Sequence, residues 1–259
     1  MGPREILEDV SEGNITVEEA EARLTGYVTT DAGRFDAARE HRRGIPEAIF
    51  APGKTPAEIA ALAEAALGTT GRAIVTRIDE TAVAAVREAV DADADLAHHE
   101  RSRVLVVHAE GFEAPSLDAR VGLVTGGTAD AEPAGEAAVI ASETGAAVER
   151  IEDVGVANLT RIVDQLPTLR DQDVLIVAAG REGALPTVVA GLVDVPVIGL
   201  PVSSGYGHGG DGEAALVGLL QSCTVLSVVN VDAGFVAGAQ AGLIARAISG
   251  ARVDRVPES

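Results

Sequence analysis

Short, nearly all-apolar runs that alternate with helical stretches constrain the fold of residues 116–255 most strongly. Strands are predicted near 121–125, 147–151, 173–178, 196–200 and 225–231. Strand–helix alternation produces a parallel sheet, and strands that are apolar on both faces are covered by helices on both sides. We therefore predict an α/β fold for this part, a three-layer parallel-sheet domain of the flavodoxin-like or Rossmann-like type. Its ligand is expected beyond the carboxyl ends of the strands.

Residues 1–115 predict a helical lead followed by a smaller α/β domain. The lead has two short helices, and the second begins after Asn14, where Thr16 and Glu19 have the spacing of a capping box. The following elements are an ordered loop or short edge strand at 29–55, helices at 56–67 and 80–90, strands at 73–78 and 104–108, and a linker at 109–119.

The charge of the chain limits its partners. Forty acidic and twenty basic side chains give a net charge of -20, which opposes binding to nucleic-acid phosphates. The acids are spread along the whole sequence, and all basic residues except Lys54 are arginines. This composition resembles that of cytoplasmic proteins from salt-loving archaea, whose carboxylate-rich surfaces stay hydrated when salt screens their repulsion.

Neither export nor membrane insertion is predicted. The first ten residues contain three acids and lack the apolar stretch of a signal peptide. No apolar run approaches the length of a bilayer-spanning helix. A single cysteine, Cys223, cannot form an internal disulfide, as is typical of proteins in a reducing compartment. We therefore expect a cytoplasmic protein with no membrane partner.

A glycine-rich turn follows the first strand of the predicted parallel sheet. It reads Thr125, Gly126, Gly127, Thr128, Ala129 and Asp130, and a helix begins shortly after it. Glycines at such a turn allow a phosphate to approach backbone N–H groups, and the carboxylate of Asp130 could accept hydrogen bonds from ribose hydroxyls. A tight connection without a ligand explains the same pattern.

Two further loops at this predicted edge carry polar side chains. Arg181 could hold a carboxylate, and Glu182 could act as a base, help to hold a metal ion or cap the next helix. The loop at 201–212 contains five of the twenty-nine glycines, which is typical of a segment that wraps a ligand or crosses a subunit contact. His208 and Asp211 in this loop are candidates for proton transfer or magnesium binding, or are solvated surface groups.

Three other positions allow both a functional and a structural interpretation. Cys223 comes just before the last strand, where a lone cysteine can be a nucleophile or a small core residue. Asn230 and Asp232 end that strand with two polar side chains, although a plain connection needs only one turn former. Lys54 supplies a compact ammonium charge that could reach a phosphate or a carboxylate, or it is present by chance.

Several segments together form a specific ordered set. They are Gly-Ile-Pro-Glu at 44–47, Gly-Lys-Thr at 53–55, Val-Thr-Gly-Gly-Thr-Ala-Asp at 124–130, Asp-Val-Gly-Val-Ala at 153–157, Glu-Gly-Ala-Leu-Pro at 182–186, Gly-Tyr-Gly at 205–207, Ser-Cys at 222–223 and Val-Asn-Val-Asp-Ala-Gly-Phe at 229–235. Over about residues 40–240 the chain resembles the synthases of pyridinium-3,5-dicarboxylic acid mononucleotide, which begin the assembly of the nickel-pincer cofactor of lactate racemase. The carboxylase domain of those enzymes is similar to aminoimidazole ribonucleotide carboxylases and mutases of the purine pathway.

The resemblance implies a reaction and a set of site residues. Nicotinic acid adenine dinucleotide would gain a second ring carboxyl group from carbon dioxide or bicarbonate, and its phosphoanhydride would be hydrolysed to release AMP, with Mg²⁺ as the expected cofactor. By this resemblance Cys223 is the nucleophile and Glu182 is a proton shuttle or metal partner. Asp211, singled out above from its loop, is a second metal candidate. The implied binding residues are Thr125, Gly126, Gly127, Thr128, Asp130, Arg161, Arg181, Ser204, Gly205, Asn230, Asp232 and Lys54.

Departures from the family pattern leave alternatives open. Ala129 replaces a usual serine, Thr160 replaces a usual histidine, and Arg181 replaces a usually apolar residue. An aminoimidazole ribonucleotide carboxylase or mutase is the closest alternative, although those enzymes depend on the histidine that is absent here. A non-enzymatic nucleotide sensor or assembly subunit is the alternative from another class. Purine-type relatives form closed octamers, so a homo-oligomer is expected.

Overall fold

The structure is a computed structural model, and it describes residues 3–17, 20, 24–205 and 207–253. The chain divides into two compact units, Met1–Glu113 and Ala114–Ser259, which we call the N-terminal unit and the C-terminal unit. Glu19 and Tyr206 lie outside the described residues, so the structure does not describe the capping box predicted for the lead or the centre of the Gly-Tyr-Gly segment.

The N-terminal unit contains two small sheets. Its elements are α1 (Pro3–Glu12), β1 (Val28–Thr30), β2 (Gly33–Phe35), α2 (Arg39–Arg43), β3 (Ile49–Phe50), α3 (Pro56–Thr70), β4 (Arg72–Thr76), α4 (Glu80–Ala89), β5 (Asp95–His99), a 3₁₀ turn (Glu100–Ser102) and β6 (Val104–His108). Strands β1 and β2 form an antiparallel pair. The larger sheet has the order β3-β4-β6-β5, in which β3 and β4 are parallel and the other pairs antiparallel. The predicted smaller α/β domain is confirmed.

Local sequence signals explain helix α3. Thr55 caps its first turn in a capping box with Glu58, Pro56 occupies the first helical position, and Gly71 ends the helix in a left-handed conformation. Its alanine-rich face, including Ala63 and Ala66, packs into the core of this unit.

Two parts of the N-terminal unit differ from the expectation. The short edge strand expected within 29–55 is β3, but the β1–β2 pair and the short helix α2 make this segment more regular than a loop with one strand. Strand β5 was not predicted, because its sequence Asp-Leu-Ala-His-His is polar at most positions and matches no strand pattern. Only pairing with β6, for example of Leu96 with Val107, makes it a strand at the edge of the sheet.

The C-terminal unit is a parallel sheet between helices. Its elements are β7 (Arg120–Thr125), a 3₁₀ turn (Thr128–Asp130), α5 (Ala131–Glu143), β8 (Ala147–Ile151), α6 (Leu159–Asp164), α7 (Leu166–Arg170), β9 (Val174–Ala179), α8 (Ala184–Ala190), β10 (Val197–Pro201), α9 (Glu213–Leu220), β11 (Ser227–Val228) and α10 (Gly234–Val253). The five strands have the order β11-β10-β9-β7-β8, and every neighbouring pair is parallel.

Helices cover both faces of this sheet. On one face, α5 and α10 pack on side chains such as Val121 and Ile176. On the other face, α6, α7 and α8 pack on side chains such as Leu175 and Val177. The predicted three-layer fold is confirmed, although β11 has two residues in place of the expected strand at 225–231. No helix in the described part of the chain combines the length and the apolar character needed to cross a bilayer.

Helices α5 and α10 approach each other through small residues. A Cβ atom added to Gly238 would lie 2.9 Å from the Cβ atom of Ile140 and 3.0 Å from the Cα atom of Ala137. A Cβ atom added to Gly242 would lie 2.9 Å from the Cβ atom of Thr144. Because real Cβ atoms do not come this close, glycine is required where the two helices touch.

We predict that Gly238→Ala destabilises the protein. The added methyl group would overpack the α5–α10 contact and lower the free energy of unfolding by about 1–3 kcal/mol, as measured by urea denaturation. Gly250→Ala is the matched control, because a Cβ atom added there has no neighbour within 4 Å. In that variant the better helix propensity of alanine should raise the free energy of unfolding by about 0.5–1 kcal/mol. Equal stabilisation by both changes would rule out the close contact.

Candidate active site

A cavity of about 580 Å³ opens at the carboxyl ends of the strands in the C-terminal unit. The four loops that follow β7, β8, β9 and β10 line it. Sites for small molecules commonly enclose about 300–1,000 Å³, and in open parallel sheets they lie at this edge. This cavity is therefore the candidate active site of the unit.

Glycines bring the backbones of neighbouring loops together around the cavity. A Cβ atom on Gly155 would lie 2.9 Å from the carbonyl oxygen of Gly126, and one on Gly205 would lie 3.1 Å from the Cα atom of Arg181. Side chains at either glycine would force the loops apart. As a result, glycines without side chains line the cavity where these loops meet.

Asp130 connects two of these loops from a buried position. Asp130 is only 6% exposed to solvent. One carboxylate oxygen accepts a hydrogen bond from the backbone N–H of Gly127 at 3.2 Å, and the other accepts one from the hydroxyl of Ser204 at 3.1 Å. The carboxylate thus ties the loop after β7 to the loop after β10. Its predicted contact with a ribose would have to use the remaining lone pairs.

Burial raises the pKa of Asp130 above the ordinary value of 3.8. Desolvation of the carboxylate is the largest cause, and the hydrogen bonds from Ser204, Gly127 and Gly126 act in the opposite direction. The group therefore holds its proton more tightly than a free aspartate, next to the space where a substrate would bind.

Arg181 and Glu182 both line the cavity from the loop after β9. Both residues are exposed, and Arg181 has a left-handed backbone with φ of 48°. Such a conformation is uncommon for a residue with a side chain and is often found at functional sites. Together the two side chains supply one positive and one negative charge at the mouth of the cavity.

The described residues offer little protein ligation for a Mg²⁺ ion. Among them, no group of three or more His, Cys, Asp or Glu side chains could hold a metal. Glu182 lines the cavity, whereas Asp211 is exposed and is not among the lining residues. Mg²⁺ often binds through one or two carboxylates together with substrate phosphates and water. The site thus fits an ion that Glu182 and a phosphate-bearing substrate would hold jointly, and it does not fit a protein-only metal cage.

The residues after β11 act on the cavity indirectly. Asp232 accepts a hydrogen bond from the backbone N–H of Ser203 at 2.9 Å, and its own N–H donates to the carbonyl of Pro201 at 2.9 Å. Asp232 therefore braces the loop that carries Ser204. The side-chain oxygen of Asn230 accepts a hydrogen bond from the backbone N–H of Val231, the next residue in the chain.

The remaining predicted residues lie around the cavity or apart from it. Thr125 is buried at the end of β7, and Thr128 is exposed in the turn that follows, but neither lines the cavity. Arg161 forms an ion pair with Asp153 at 2.8 Å on the surface, near the loop after β8. Lys54 belongs to the N-terminal unit, where its ammonium group donates to the carbonyl of Phe50 at 2.7 Å.

Cys223 is exposed and lies away from the cavity of its own chain. It belongs to the turn between α9 and β11, so it comes before the amino-terminal end of a parallel strand. The neighbouring Thr224 packs beside Gly191, at the end of α8 that is remote from the cavity. A single chain thus does not bring the thiol and the cavity together.

Sequence reasoning did not identify the apolar wall of the cavity. Val156, Ala157, Ala184 and Leu185 contribute to it, beside the glycines and charged groups. Val156 and Ala157 lie in the loop after β8, and Ala184 and Leu185 begin α8. The available signal was that all four follow strands at the carboxyl edge, where every connection of a parallel sheet is a candidate wall. A wall of this kind suits the flat face of a heteroaromatic ring.

The raised pKa of Asp130 predicts a pH effect on stability. The folded state holds this proton more tightly than the unfolded state, so the stability contributed by the group is present below the unfolded pKa and is lost as the pH rises through the folded pKa. Relative to the wild type, Asp130→Asn should therefore gain stability as the pH rises above about 3.8. Urea denaturation of both proteins between acid and neutral pH measures this difference. A difference that stays constant across the range contradicts the prediction.

Comparisons with known proteins agree with the two-unit architecture. Residues 27–110 match the LarB/PurE-like N-terminal domain, and residues 120–259 match the AIR carboxylase family. An uncharacterised protein of Methanocaldococcus jannaschii is 33% identical over 251 residues, which cover 94% of this chain and 96% of that protein. A crystal structure of a PurE2 variant from Treponema denticola is 19% identical with a TM-score of 0.37, and the match covers 54% of this chain and 98% of that one.

The two family matches and the match to the Methanocaldococcus jannaschii protein extend over both units, in the order that the sequence motifs imply. The chain therefore belongs to the LarB/PurE family, in which a LarB/PurE-like N-terminal domain precedes an AIR carboxylase domain, and its activity is of the carboxylase/mutase type.

Proposed function

We propose that the chain carboxylates the pyridinium ring of nicotinic acid adenine dinucleotide at C5 and hydrolyses the phosphoanhydride. The products are pyridinium-3,5-dicarboxylate mononucleotide, which is the first intermediate of nickel-pincer cofactor biosynthesis, and AMP, which is released as a by-product. The observation that carries this proposal is the exposed thiol of Cys223 on an AIR carboxylase-type unit. Carboxyl transfer on an aminoimidazole needs no thiol, whereas a pyridinium ring must first be made nucleophilic.

The thiol explains how an electron-poor ring can capture carbon dioxide. Addition of the Cys223 thiolate at C4 forms a C–S bond and gives a neutral dihydropyridine, whose C5 is the nucleophilic carbon of an enamine. C5 then attacks carbon dioxide, and a base removes the C5 proton. Breaking the C–S bond returns the electron pair to sulfur and restores the aromatic ring, so the thiolate is regenerated and one proton is released.

The cavity supplies groups for the other parts of this reaction. The apolar wall of Val156 and Leu185 suits the ring, and the glycine-lined surface suits a phosphate. Arg181 carries the charge that would hold a ring carboxylate. Glu182, exposed at the same mouth, is the proposed acceptor of the C5 proton and the proposed carboxylate ligand of a Mg²⁺ ion bound to the substrate phosphates.

The proposed chemistry requires an assembly, since Cys223 lies away from the cavity of its own chain. We propose a homo-oligomer, up to the octamer that the family resemblance implies, in which one copy presents its thiol to the cavity of another. Side chains near Cys223 support such a contact, because Val217, Leu220 and Val225 are 45%, 66% and 96% exposed. Exposed apolar side chains clustered in this way mark protein interaction surfaces. The acidic composition suggests that the assembly works in a salt-rich cytoplasm.

We predict that Cys223→Ala abolishes carboxylation without affecting folding. Wild-type protein incubated at high salt with nicotinic acid adenine dinucleotide, bicarbonate and Mg²⁺ should release the dicarboxylated mononucleotide and AMP, detected by mass spectrometry. The variant should lose at least about a hundredfold of this rate, with an unchanged melting temperature because the side chain is exposed.

The same assay separates the competing functions. Turnover of aminoimidazole ribonucleotide, unaffected by loss of the thiol, would identify a purine-type carboxylase or mutase, which the AIR carboxylase match also allows. Tight binding of the dinucleotide by both proteins without turnover would identify a nucleotide sensor and reject the thiol mechanism.

A second prediction concerns the assembly. Cys223→Ala and Asp130→Ala should each be inactive alone, because one lacks the thiol and the other lacks the tie between the cavity loops. Co-expressed in equal amounts, they should recover about a quarter of the wild-type rate if each site takes its thiol and its cavity from different copies. Recovery of no activity, with mixed oligomers verified by differently tagged subunits, would place both groups in one chain.

A further inference from the structure

An exposed apolar patch on helix α6 lies beside the cavity of the C-terminal unit. Leu159 and Val163, which we call the α6 patch, are 54% and 51% exposed. They are four positions apart in the helix and therefore lie on the same face of it. The helix begins two residues after Ala157, which lines the cavity together with Val156. Because two residues of chain span at most about 7 Å, the patch adjoins the cavity.

The connection that carries the α6 patch is braced by polar contacts. Asp153 has a left-handed backbone with φ of 59°, and its carboxylate pairs with the guanidinium group of Arg161 at 2.8 Å. The side-chain oxygen of Asn158 accepts a hydrogen bond from the backbone N–H of Thr160 at 3.2 Å and caps the first turn of the helix. These contacts hold the patch in place, and the ion pair balances the two charges beside it.

A second surface without charged groups surrounds Cys223. Residues 214–231 contain no acidic or basic side chain, although 23% of the residues of the chain are charged. Val217, Leu220 and Val225 are exposed in this stretch, and together with Cys223 we call them the thiol surface. Charged residues are depleted at the centres of protein interfaces. In a chain whose net charge is -20, a surface of this kind also allows two copies to approach with little repulsion.

The α6 patch and the thiol surface lie at opposite edges of the parallel sheet. In the strand order β11-β10-β9-β7-β8, the patch follows β8 at one edge and Cys223 precedes β11 at the other. Four strand spacings separate these edges by roughly 19 Å. The two surfaces therefore cannot meet within one chain, but they can meet head to tail between two copies.

We propose that the α6 patch of one copy docks the thiol surface of a second copy, so that the partner's Cys223 is delivered to the cavity. Contact between them removes both apolar surfaces from water. This inference rests on the proposed function, since that reaction requires a thiol that the chain keeps away from its own cavity. Because the two surfaces are different, the contact is heterologous and repeats from copy to copy around a closed ring.

Disulfide trapping in the full-length protein tests this contact. Leu159→Cys and Val225→Cys are combined in a Cys223→Ala background, which removes the one native thiol. Mild oxidation at high salt should join each copy to the next and give a ladder of covalent multimers on a denaturing gel. Each single variant should give no ladder, because a head-to-tail contact does not bring two copies of the same position together, and a disulfide needs Cα atoms within about 7 Å.

The matched control pairs Val225→Cys with Leu243→Cys. Leu243 is an exposed apolar residue of α10, 42% exposed, and lies outside both surfaces. Linkage of the Leu159 pair should be at least about tenfold faster than linkage of this control pair. Three results overturn the proposal: no ladder from the Leu159 pair, equal linkage of the control pair, or self-linkage of a single variant.

A charge in the α6 patch tests what the contact contributes. Val163→Glu would bury an unpaired carboxylate against apolar side chains, so the dissociation constant of the assembly should rise at least about tenfold in sedimentation experiments. Carboxylation should fall at low protein concentration and recover as the concentration is raised, whereas Leu243→Glu should change neither property. A dissociation constant that Val163→Glu leaves unaltered contradicts the proposal.

The two kinds of measurement separate this inference from the proposed function. A ladder from the Leu159 pair, in a protein whose wild type never carboxylates the dinucleotide, would reject the proposed function and leave the docking contact standing. Carboxylation that depends on Cys223, with no ladder from the Leu159 pair, would reject the docking contact alone.

Discussion

The close packing of small side chains is the constraint on which the C-terminal unit depends. With aromatics at only 2% of the residues, the layers cannot be filled by large rings, so alanines and glycines bring helices and strands into direct contact. Gly238 and Gly242 allow α10 to lie against α5, and these two helices cover one face of the sheet. Because both faces are covered, polar groups can collect only at the edges, and the carboxyl edge contains the cavity.

Small residues also determine the shape of the cavity. Gly126 and Gly155, and likewise Gly205 and Arg181, place loop backbones in contact, and the buried carboxylate of Asp130 ties the first loop to the last. A buried carboxylate needs hydrogen-bond partners, and here the partners belong to two different loops. Burial of this carboxylate raises its pKa, and its two hydrogen bonds hold the loops in a fixed geometry.

The groups proposed for the reaction are distributed over separate parts of the molecule. The cavity lies at the carboxyl edge of the parallel sheet, and the exposed thiol of Cys223 belongs to the turn before an edge strand. In the proposed homo-oligomer, association of copies would bring the exposed thiol of one chain to the cavity of another.

The sequence by itself determined the family, the parallel sheet and the loops of the site, since apolar strand runs, glycine turns and cap residues act locally. It did not predict β5, whose polar residues become a strand only when β6 offers its backbone. Only the tertiary structure decided that Asp130 bonds to Ser204, that Arg161 pairs with Asp153, and that Cys223 lies away from the cavity. Those outcomes depend on how distant segments pack, and spacing along the chain carries no information about contacts between residues 74 positions apart.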